Sequence, residues 1–265
     1  MKVTALLLLS MALPAMADWQ TEVSPAKLGP QPALKPCMVQ YRISWNGMLE
    51  AGKLNFVFGA KDPDAPSDYT VKVQGGSTGM AAKLYPNKIS MVSRLDPATL
   101  KPRSFVGIED ERDEVNRTES TWSGFLVKST RTTRNTKTNV QVSKDSEFKF
   151  SPVYDIISSI LYVRSQPLKD GDNLTLALTP YNTPYLAKIH VDGREKFENH
   201  DAIKLTVGLQ KIDADSKKLL PYKKFKSATL WLADDNERLP IELRSELFIG
   251  DIRMTVADAK PLPAN

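Results

Sequence analysis

The chain has 265 residues, a formal net charge of +5 and a single cysteine, Cys37. A chain of this length can bury a hydrophobic core without help from disulfides or metal ions, and one cysteine excludes an internal disulfide. Acidic residues are interleaved with the basic ones throughout, so the mild positive charge is typical of an ordinary solvated surface.

The first 17 residues have the pattern of a secretory signal peptide. Lys2 supplies a positive start, residues 5–13 form an apolar run, and Ala15-Met16-Ala17 is a small-x-small cleavage site. We therefore predict cleavage at about Ala17 and a periplasmic or secreted product. The apolar run is too short for a permanent anchor. No later stretch is long and apolar enough to cross a bilayer, so the sequence does not predict an integral membrane protein.

Residues 18–36 contain four prolines and predict an extended, poorly ordered lead. Strand-like alternation begins after this lead. It predicts a single β domain over residues 37–258 and a tail at 259–265. In the first strand, one face is predicted to be half buried because every second residue is apolar. Those residues are Val39, Tyr41, Ile43 and Trp45.

Three later features predict strands and turns. Asp192-Gly193 is a two-residue hairpin signal. The basic, Thr-rich segment 119–142 favours solvent-facing strand pairs over helix. Between residues 240 and 256 the apolar positions switch from odd to even numbers. A regular strand cannot make this switch, so we predict a bulge or sharp bend near Gly250.

One stretch, SPVYDIISSILYVRSQPL at residues 151–168, has a clear helical pattern. We predict a short amphipathic helix near 152–165, with Ser151 as the N-cap and Pro152 as the first helical residue. Apolar side chains recur at helical spacing and predict one apolar stripe. These side chains, which are the candidate ligand-facing residues, are Val153, Ile156, Ile157, Ile160 and Leu161.

The sizes of these elements predict the architecture. A helix of about 14 residues is roughly 21 Å long and 10 Å wide, whereas about ten strands make a sheet roughly 48 Å across. One helix cannot cover such a face. We therefore predict a mainly β fold, a strongly curled antiparallel sheet that forms an open or closed barrel, with the helix on its concave side. Such a sheet can enclose an apolar ligand, or its own side chains can fill it.

The sequence contains no recognisable catalytic, metal or cofactor motif. His190 and His200 are not at metal-ligand spacing from other donors. Residues 74–83 are glycine-rich but lack the spacing of a phosphate-binding loop, and residues 109–114 lack the glycine of a calcium loop. The basic run 211–226 is better explained as a solvated strand edge than as a nucleic-acid site. We therefore predict a protein that is not an enzyme and has no cofactor and no nucleic-acid partner.

The order of these pieces resembles a bacterial family of exported proteins, domain of unknown function 3108. The motifs that carry the resemblance are YRISWNGMLEAGKLNF, GGSTGMAAKLYPNKISMVSRLDPATLKPRSF, VYDIISSILYVRSQPLKDGDNLTLAL and ATLWLADDNERLPIELRSELFIGDI. With the hairpin between the last two they span most of residues 39–256. The resemblance implies a periplasmic, β-rich protein. It implies no activity and no catalytic residues.

Two functional hypotheses follow. The first is a non-catalytic periplasmic protein that binds an apolar or lipid-like small molecule in its curled sheet. The alternative is a structural or assembly factor of the cell envelope that acts through contacts with a protein partner. A third hypothesis, a hydrolase, would require a polar cleft in which an acid and a base converge.

Overall fold

A computed structural model describes residues 18–31, 33–223, 225–247 and 250–263. The predicted signal peptide lies outside these ranges. The helices of the described part are α1 (Trp19–Glu22), α2 (Gly79–Leu84) and α3 (Ile156–Ser165). None of the helices in that part is long and apolar enough to cross a bilayer.

Sixteen strands of the described chain join into one sheet. The strands are β1 (Cys37–Trp45), β2 (Leu49–Ala60), β3 (Tyr69–Ser77), β4 (Asn87–Leu95), β5 (Pro102–Glu111), β6 (Glu114–Ser123), β7 (Leu126–Asn135), β8 (Gln141–Lys149), β9 (Val153–Tyr154), β10 (Asn173–Leu178), β11 (Tyr185–Phe197), β12 (His200–Ile212), β13 (Leu219–Leu220), β14 (Ser227–Ala233), β15 (Pro240–Leu247) and β16 (Gly250–Pro261). Their spatial order is β8-β7-β6-β5-β4-β3-β2-β1-β16-β15-β14-β12-β11-β10-β9, with β13 beside β12. Apart from the parallel β9–β10 pair, the strand pairs of the described sheet are antiparallel, which confirms the predicted mainly β fold.

The alternation in β1 shows why these segments form strands. Val39 and Tyr41 are fully buried on the concave face. Arg42, which directly follows Tyr41, is exposed. The phenol of Tyr41 donates to the carbonyl of Pro240 at 3.0 Å, so this buried polar atom has a partner. An apolar residue at every second position therefore produces a strand with one face inside.

The sheet curls until its two edge strands, β8 and β9, lie on the same side of the molecule. Side chains from both ends of the strand order share one hydrophobic cluster: Val127 of β7 and Phe148 of β8 pack with Ala177 of β10 and Leu186 of β11. Hydrogen bonding does not continue from β8 to β9 in the described sheet. The result is an open barrel. We call this line of contact the seam.

Trp19 seals the seam from outside. Its ring lies 4.9 Å from that of Phe150, centroid to centroid, and its Nε1 donates to the carbonyl of Lys217 at 2.7 Å. Trp19 is buried and belongs to the seam cluster. The prediction of a poorly ordered lead was therefore wrong at its start, because a large aromatic ring gains more by packing there than it loses in conformational entropy.

The remainder of the lead crosses the C-terminal half of α3, and we call residues 24–31 the strap. The phenol of Tyr162 donates to the carbonyl of Pro25 at 2.7 Å, and the backbone N–H of Gln31 donates to the carbonyl of Ser165. At Gly29 the contact is so close that an added Cβ would lie 1.9 Å from the Ser165 carbonyl oxygen. Only glycine allows this approach.

Helix α3 begins four residues later than predicted. Asp155, not Ser151, is its N-cap: one carboxylate oxygen accepts from the backbone N–H of Ile157 at 2.7 Å and of Ser158 at 2.9 Å. Val153 belongs to β9 and pairs with β10. Asp155 is the N-cap in place of Ser151 because its carboxylate accepts from two backbone N–H groups at once. The residues before it are then free to form β9.

Helix α3 is short, as predicted, and it is buried on nearly all sides, so its apolar stripe does not face a separate solvent-exposed side. Its three serines bond back to carbonyls of the helix region, at 3.1 Å for Ser158, 2.8 Å for Ser159 and 2.6 Å for Ser165. Their hydroxyls are thereby satisfied in an apolar surrounding. Ile156, which belongs to the predicted apolar stripe, is the helix residue with the large exposed side chain, at 40%.

Other sequence predictions need correction. Two short helices, α1 and α2, accompany α3 in the described chain, because four and six residues are too few to show a helical period. Asp192-Gly193 is a bulge within β11, and the hairpin closes five residues later, where Phe197 pairs with His200. The predicted tail begins inside β16, which continues to Pro261 opposite Cys37.

The parity switch before Gly250 marks a chain reversal. Leu247 pairs with Gly250, so the predicted single strand is a hairpin of β15 and β16. The two connecting residues lie outside the described ranges. The sharp bend is confirmed, and the bulge within a continuous strand is not. The segment 119–142 forms strands β6, β7 and the start of β8, as predicted.

We expect Asp155→Ala to lower the free energy of unfolding by about 1–3 kcal/mol. The substitution leaves two backbone N–H groups and the hydroxyl of Ser93, which donates to the carboxylate at 2.7 Å, without their buried acceptor. Asp155→Asn keeps an oxygen for both N–H groups and buries no charge, so it should retain most of the stability at neutral pH. Urea unfolding of the three proteins checks this order.

The same residue predicts a pH dependence. Burial raises the pKa of Asp155 above its ordinary value of 3.8, and hydrogen bonds from Ser158, Ser93 and Ile157 oppose part of the rise. The folded state therefore holds this proton more tightly than the unfolded chain does. The stability of the wild type relative to Asp155→Asn should be greatest below pH 3.8 and fall as the pH rises through the folded-state pKa. A difference that grows in favour of the wild type with rising pH would contradict this assignment.

Leu161 and Ile156 should differ sharply in their effect on stability. Leu161 is fully buried, so Leu161→Ala is expected to lower the free energy of unfolding by about 2–5 kcal/mol. Ile156 is 40% exposed, so Ile156→Ala should cost less than about 1 kcal/mol. Equal losses in urea unfolding would show that both side chains belong to the core.

Candidate ligand cleft

The inside of the curled sheet is filled by the protein's own side chains. Tyr41 and Phe56 are 5.3 Å apart, centroid to centroid, and Phe56 and Phe58 are 5.8 Å apart. Ile157 and Ile160 of α3 face these rings across a cavity of only about 20 Å³. Helix α3 contributes side chains to two hydrophobic clusters, one on each side of it. Ile157 and Leu161 pack with β1–β5, whereas Tyr162 and Val163 pack with β10–β14.

The five candidate ligand-facing residues therefore do not share one site: some lie in the core, and others border cavities. Val153, Ile157 and Leu161 are buried in hydrophobic clusters, and Ile160 borders the small internal cavity. Ile156 alone among the five lines a larger space. The predicted stripe is split because α3 is surrounded by packing partners rather than lying on a surface.

That larger space is a cleft of about 280 Å³ at the seam, which we call the seam cleft. It lies between β7, the first turn of α3, and the ends of β10–β12. Its lining residues are Arg131, Ile156, Leu178, Pro180, Tyr181, Asn182, Thr183, Tyr185, Leu209 and Tyr222. Most of this lining is apolar or aromatic, as is usual in small-molecule sites.

The loop at residues 179–184 positions the aromatic wall of the cleft. Strand β10 ends at Leu178 and β11 begins at Tyr185, directly opposite it. The loop between them lies against the other edge of the sheet, because the carbonyl of Asn182 accepts from the hydroxyl of Ser146 of β8 at 3.3 Å. The ring of Tyr181 then packs edge-on against Phe105, at 6.4 Å between centroids.

One ion pair marks the polar part of the cleft. The Arg131 guanidinium lies 3.8 Å from the Glu109 carboxylate, and its Cζ lies 5.9 Å from the centre of the Tyr181 ring. Burial, followed by the charge of Glu109 and a hydrogen bond to it, raises the pKa of Tyr181. Burial and the neighbouring Tyr222 raise the pKa of Tyr185 to about 12. Both phenols are therefore neutral at physiological pH.

The titratable groups in and around the cleft have partners or lie apart from it. Glu109 accepts a hydrogen bond from Tyr181 and lies 3.8 Å from Arg131. The histidines lie elsewhere: His190 contacts Asn173 at 3.0 Å on an exposed face, and His200 is exposed at the β11–β12 turn. In the described part of the chain no three His, Cys, Asp or Glu side chains come together as a metal site. The hydrolase hypothesis gains no support from this geometry.

A second and larger groove, of about 510 Å³, is bordered by Pro36 and the proline-rich loop after β2. Its two acidic residues already have partners: Arg94 Nε lies 2.8 Å from the Asp62 carboxylate, and Arg103 pairs with Asp68. The hydrogen bond from Arg94 is the main reason that the pKa of Asp62 is lowered. The groove is open surface beside a loop, and its charges stabilise that loop.

Sequence reasoning missed most of the cleft. Arg131, the pair Tyr181 and Tyr185, and Tyr222 come from three separate segments that only the curl of the sheet brings together. The one local signal was the segment TPYNTP at residues 179–184. Its two prolines and its polar residues indicate a surface loop, and its tyrosine places an aromatic side chain on that loop.

Solved structures share this architecture. The chain is similar to a β-barrel-like protein of domain of unknown function DUF1849 from Brucella abortus, with a TM-score of 0.56 and 9% identity, covering 88% of this chain and 100% of that one. A protein with a YmcC-like fold from Bacteroides fragilis aligns with a TM-score of 0.32 and 7% identity, covering 88% of this chain and 99% of that one. The first likeness confirms a barrel-like fold.

No curated protein matches the chain. The family described as "Protein of unknown function (DUF3108)" matches residues 40–257, from the first strand to the last. The matched region includes every strand that borders the seam cleft, and it confirms the resemblance carried by the four sequence motifs. The chain belongs to the DUF3108 family of proteins of unknown function.

Proposed function

We propose that this is a non-catalytic exported protein of the periplasm that binds a small apolar or lipid-like ligand in the seam cleft. The observation that carries the proposal is an apolar cleft of about 280 Å³ beside an otherwise filled interior. The signal-peptide pattern of residues 1–17 supports export. Among the described residues that line the cleft, no acid and base converge, which supports binding without reaction.

The dimensions and charges of the cleft define the ligand class. Small-molecule pockets usually have volumes of about 300–1,000 Å³, so this cleft suits a small ring system or the end of one acyl chain. Ile156, Leu178 and Leu209 would contact the apolar part. The Arg131–Glu109 distance of 3.8 Å exceeds a hydrogen bond, so the guanidinium can offer N–H groups to a polar or anionic head of the ligand.

The alternative is an envelope assembly factor that binds a protein partner. The observation in its favour is the outer edge of β8, where seven of nine residues are exposed. An exposed edge is a template for strand addition, but charged side chains discourage such pairing, and Lys144, Asp145, Glu147 and Lys149 lie on this edge. We therefore favour the ligand-binding function.

Native mass spectrometry of the full chain, purified mildly from its own envelope, should detect an adduct of low mass. In parallel, titration with the apolar dye N-phenyl-1-naphthylamine should show one saturable site. Both results follow from an apolar space that excludes water. A protein that always emerges without an adduct and shows no saturable dye binding would overturn the proposal.

A matched pair of variants locates the site. Ile156→Trp fills the cleft from α3 and should weaken dye binding at least tenfold. Leu220→Trp changes a side chain with the same exposed fraction of 40% that does not line the cleft, and it should leave dye binding within about twofold of the wild type. Equal effects of the two substitutions would show that the dye binds elsewhere.

A further inference from the structure

One rim of the sheet carries a group of large apolar side chains that the core does not use. The turn from β1 to β2 lies on this rim, and so does α2, which connects β3 to β4. We call the group the rim patch; it consists of Met48, Leu49, Met80, Leu84 and Tyr85. Each is more than half exposed, with Met48 at 88% and Tyr85 at 78%.

Hydrogen bonds hold the two parts of the rim patch side by side. The backbone N–H of Thr78, the N-cap of α2, donates to the carbonyl of Ala51 at 3.1 Å. Its hydroxyl donates to Glu50 at 3.3 Å. Arg112, from the β5–β6 turn, donates to the carbonyl of Leu84. The exposed side chains are therefore presented on a fixed support, and their exposure is not a consequence of a loose end.

The size and form of the patch favour a lipid surface over a protein. Five such side chains expose on the order of 500 Å², whereas a stable protein interface buries about 800 Å² on each partner. The patch also consists of a turn and a one-and-a-half-turn helix at a sheet rim, not a groove with walls. Apolar residues at such a tip can enter the boundary between headgroups and acyl chains without needing a complementary shape.

Basic and acidic side chains both surround the patch. Lys83 and Lys88 are exposed next to Leu84 and Tyr85, and Arg112 adds a third positive charge. Asp110 lies opposite Lys88 between β4 and β5, Glu111 and Asp113 flank Arg112, and Glu50 lies 3.8 Å from Lys53. These charges nearly cancel, so the apolar side chains supply the main attraction to a membrane.

We propose that the rim patch docks the protein on a lipid surface by shallow insertion of its apolar side chains. The patch lies on β1–β4 and α2, whereas the seam cleft is built from β7, α3 and β10–β12. Membrane docking is thus independent of the ligand-binding proposal, and each can fail without the other. A protein that exchanges a lipid-like ligand would gain from being held at the membrane.

Co-sedimentation of the full chain with vesicles tests the docking. We expect binding to vesicles of equal parts phosphatidylglycerol and phosphatidylcholine, and binding within about twofold of this to pure phosphatidylcholine, because the charges around the patch nearly cancel. Tyr85→Asp and Leu84→Asp should each lower the partition coefficient about tenfold, which corresponds to about 1.4 kcal/mol. The matched control is Phe125→Asp, since Phe125 is 75% exposed on the β6–β7 turn; it should change binding less than twofold.

A fluorescent probe gives a readout independent of sedimentation. Tyr85→Trp should show a blue-shifted emission on addition of the phosphatidylglycerol vesicles, and Phe125→Trp should not. The proposal is overturned if the wild type stays in the supernatant at every lipid concentration, or if Phe125→Asp loses as much binding as Tyr85→Asp. It is also overturned if ultracentrifugation shows a dimer that Leu84→Asp dissociates, because the patch would then belong to a second copy of the chain.

Discussion

The burial of α3 inside the curled sheet is the constraint on which the remaining structure depends. A helix in an apolar interior must satisfy its end groups within the protein, because no water is there to do so. Asp155 accepts the first N–H groups, and Arg238 donates to the carbonyls of Gln166 and Pro167 beyond the last turn. Arg164 donates to the carbonyl of Glu237. Both arginines also complement the negative end of the helix dipole.

The helix and the strap together cover the concave face of the wide sheet. The strap packs on one side of α3, so the helix fills space as a core element with partners all round it. The sheet can then curl until its ends meet, but β8 and β9 remain unpaired to each other. Trp19 and Phe148 close part of this line with side chains, and the seam cleft is the space that remains where they do not.

A shared fold does not show that two proteins bind the same ligand. The Brucella abortus protein shares the architecture at 9% identity, which indicates that a curled sheet requires alternating apolar positions rather than particular residues. The chemistry belongs to side chains placed on that frame. In this chain these side chains are the Arg131–Glu109 pair beside Tyr181 and, separately, the residues of the rim patch.

The sequence by itself determined the strands, the curl and the presence of one short helix, because period-two alternation, helical spacing and the relative sizes of the elements can all be read from the chain. Val39 and Tyr41 were correctly assigned to the inner face on this basis. Only the tertiary structure decided that Asp155 rather than Ser151 begins α3, that Asp192-Gly193 is a bulge, and that Ile156 faces a cleft while Leu161 faces the core. Each of these depends on partners distant in sequence, such as Ser93 for Asp155, and no local pattern encodes which distant segment will supply the partner.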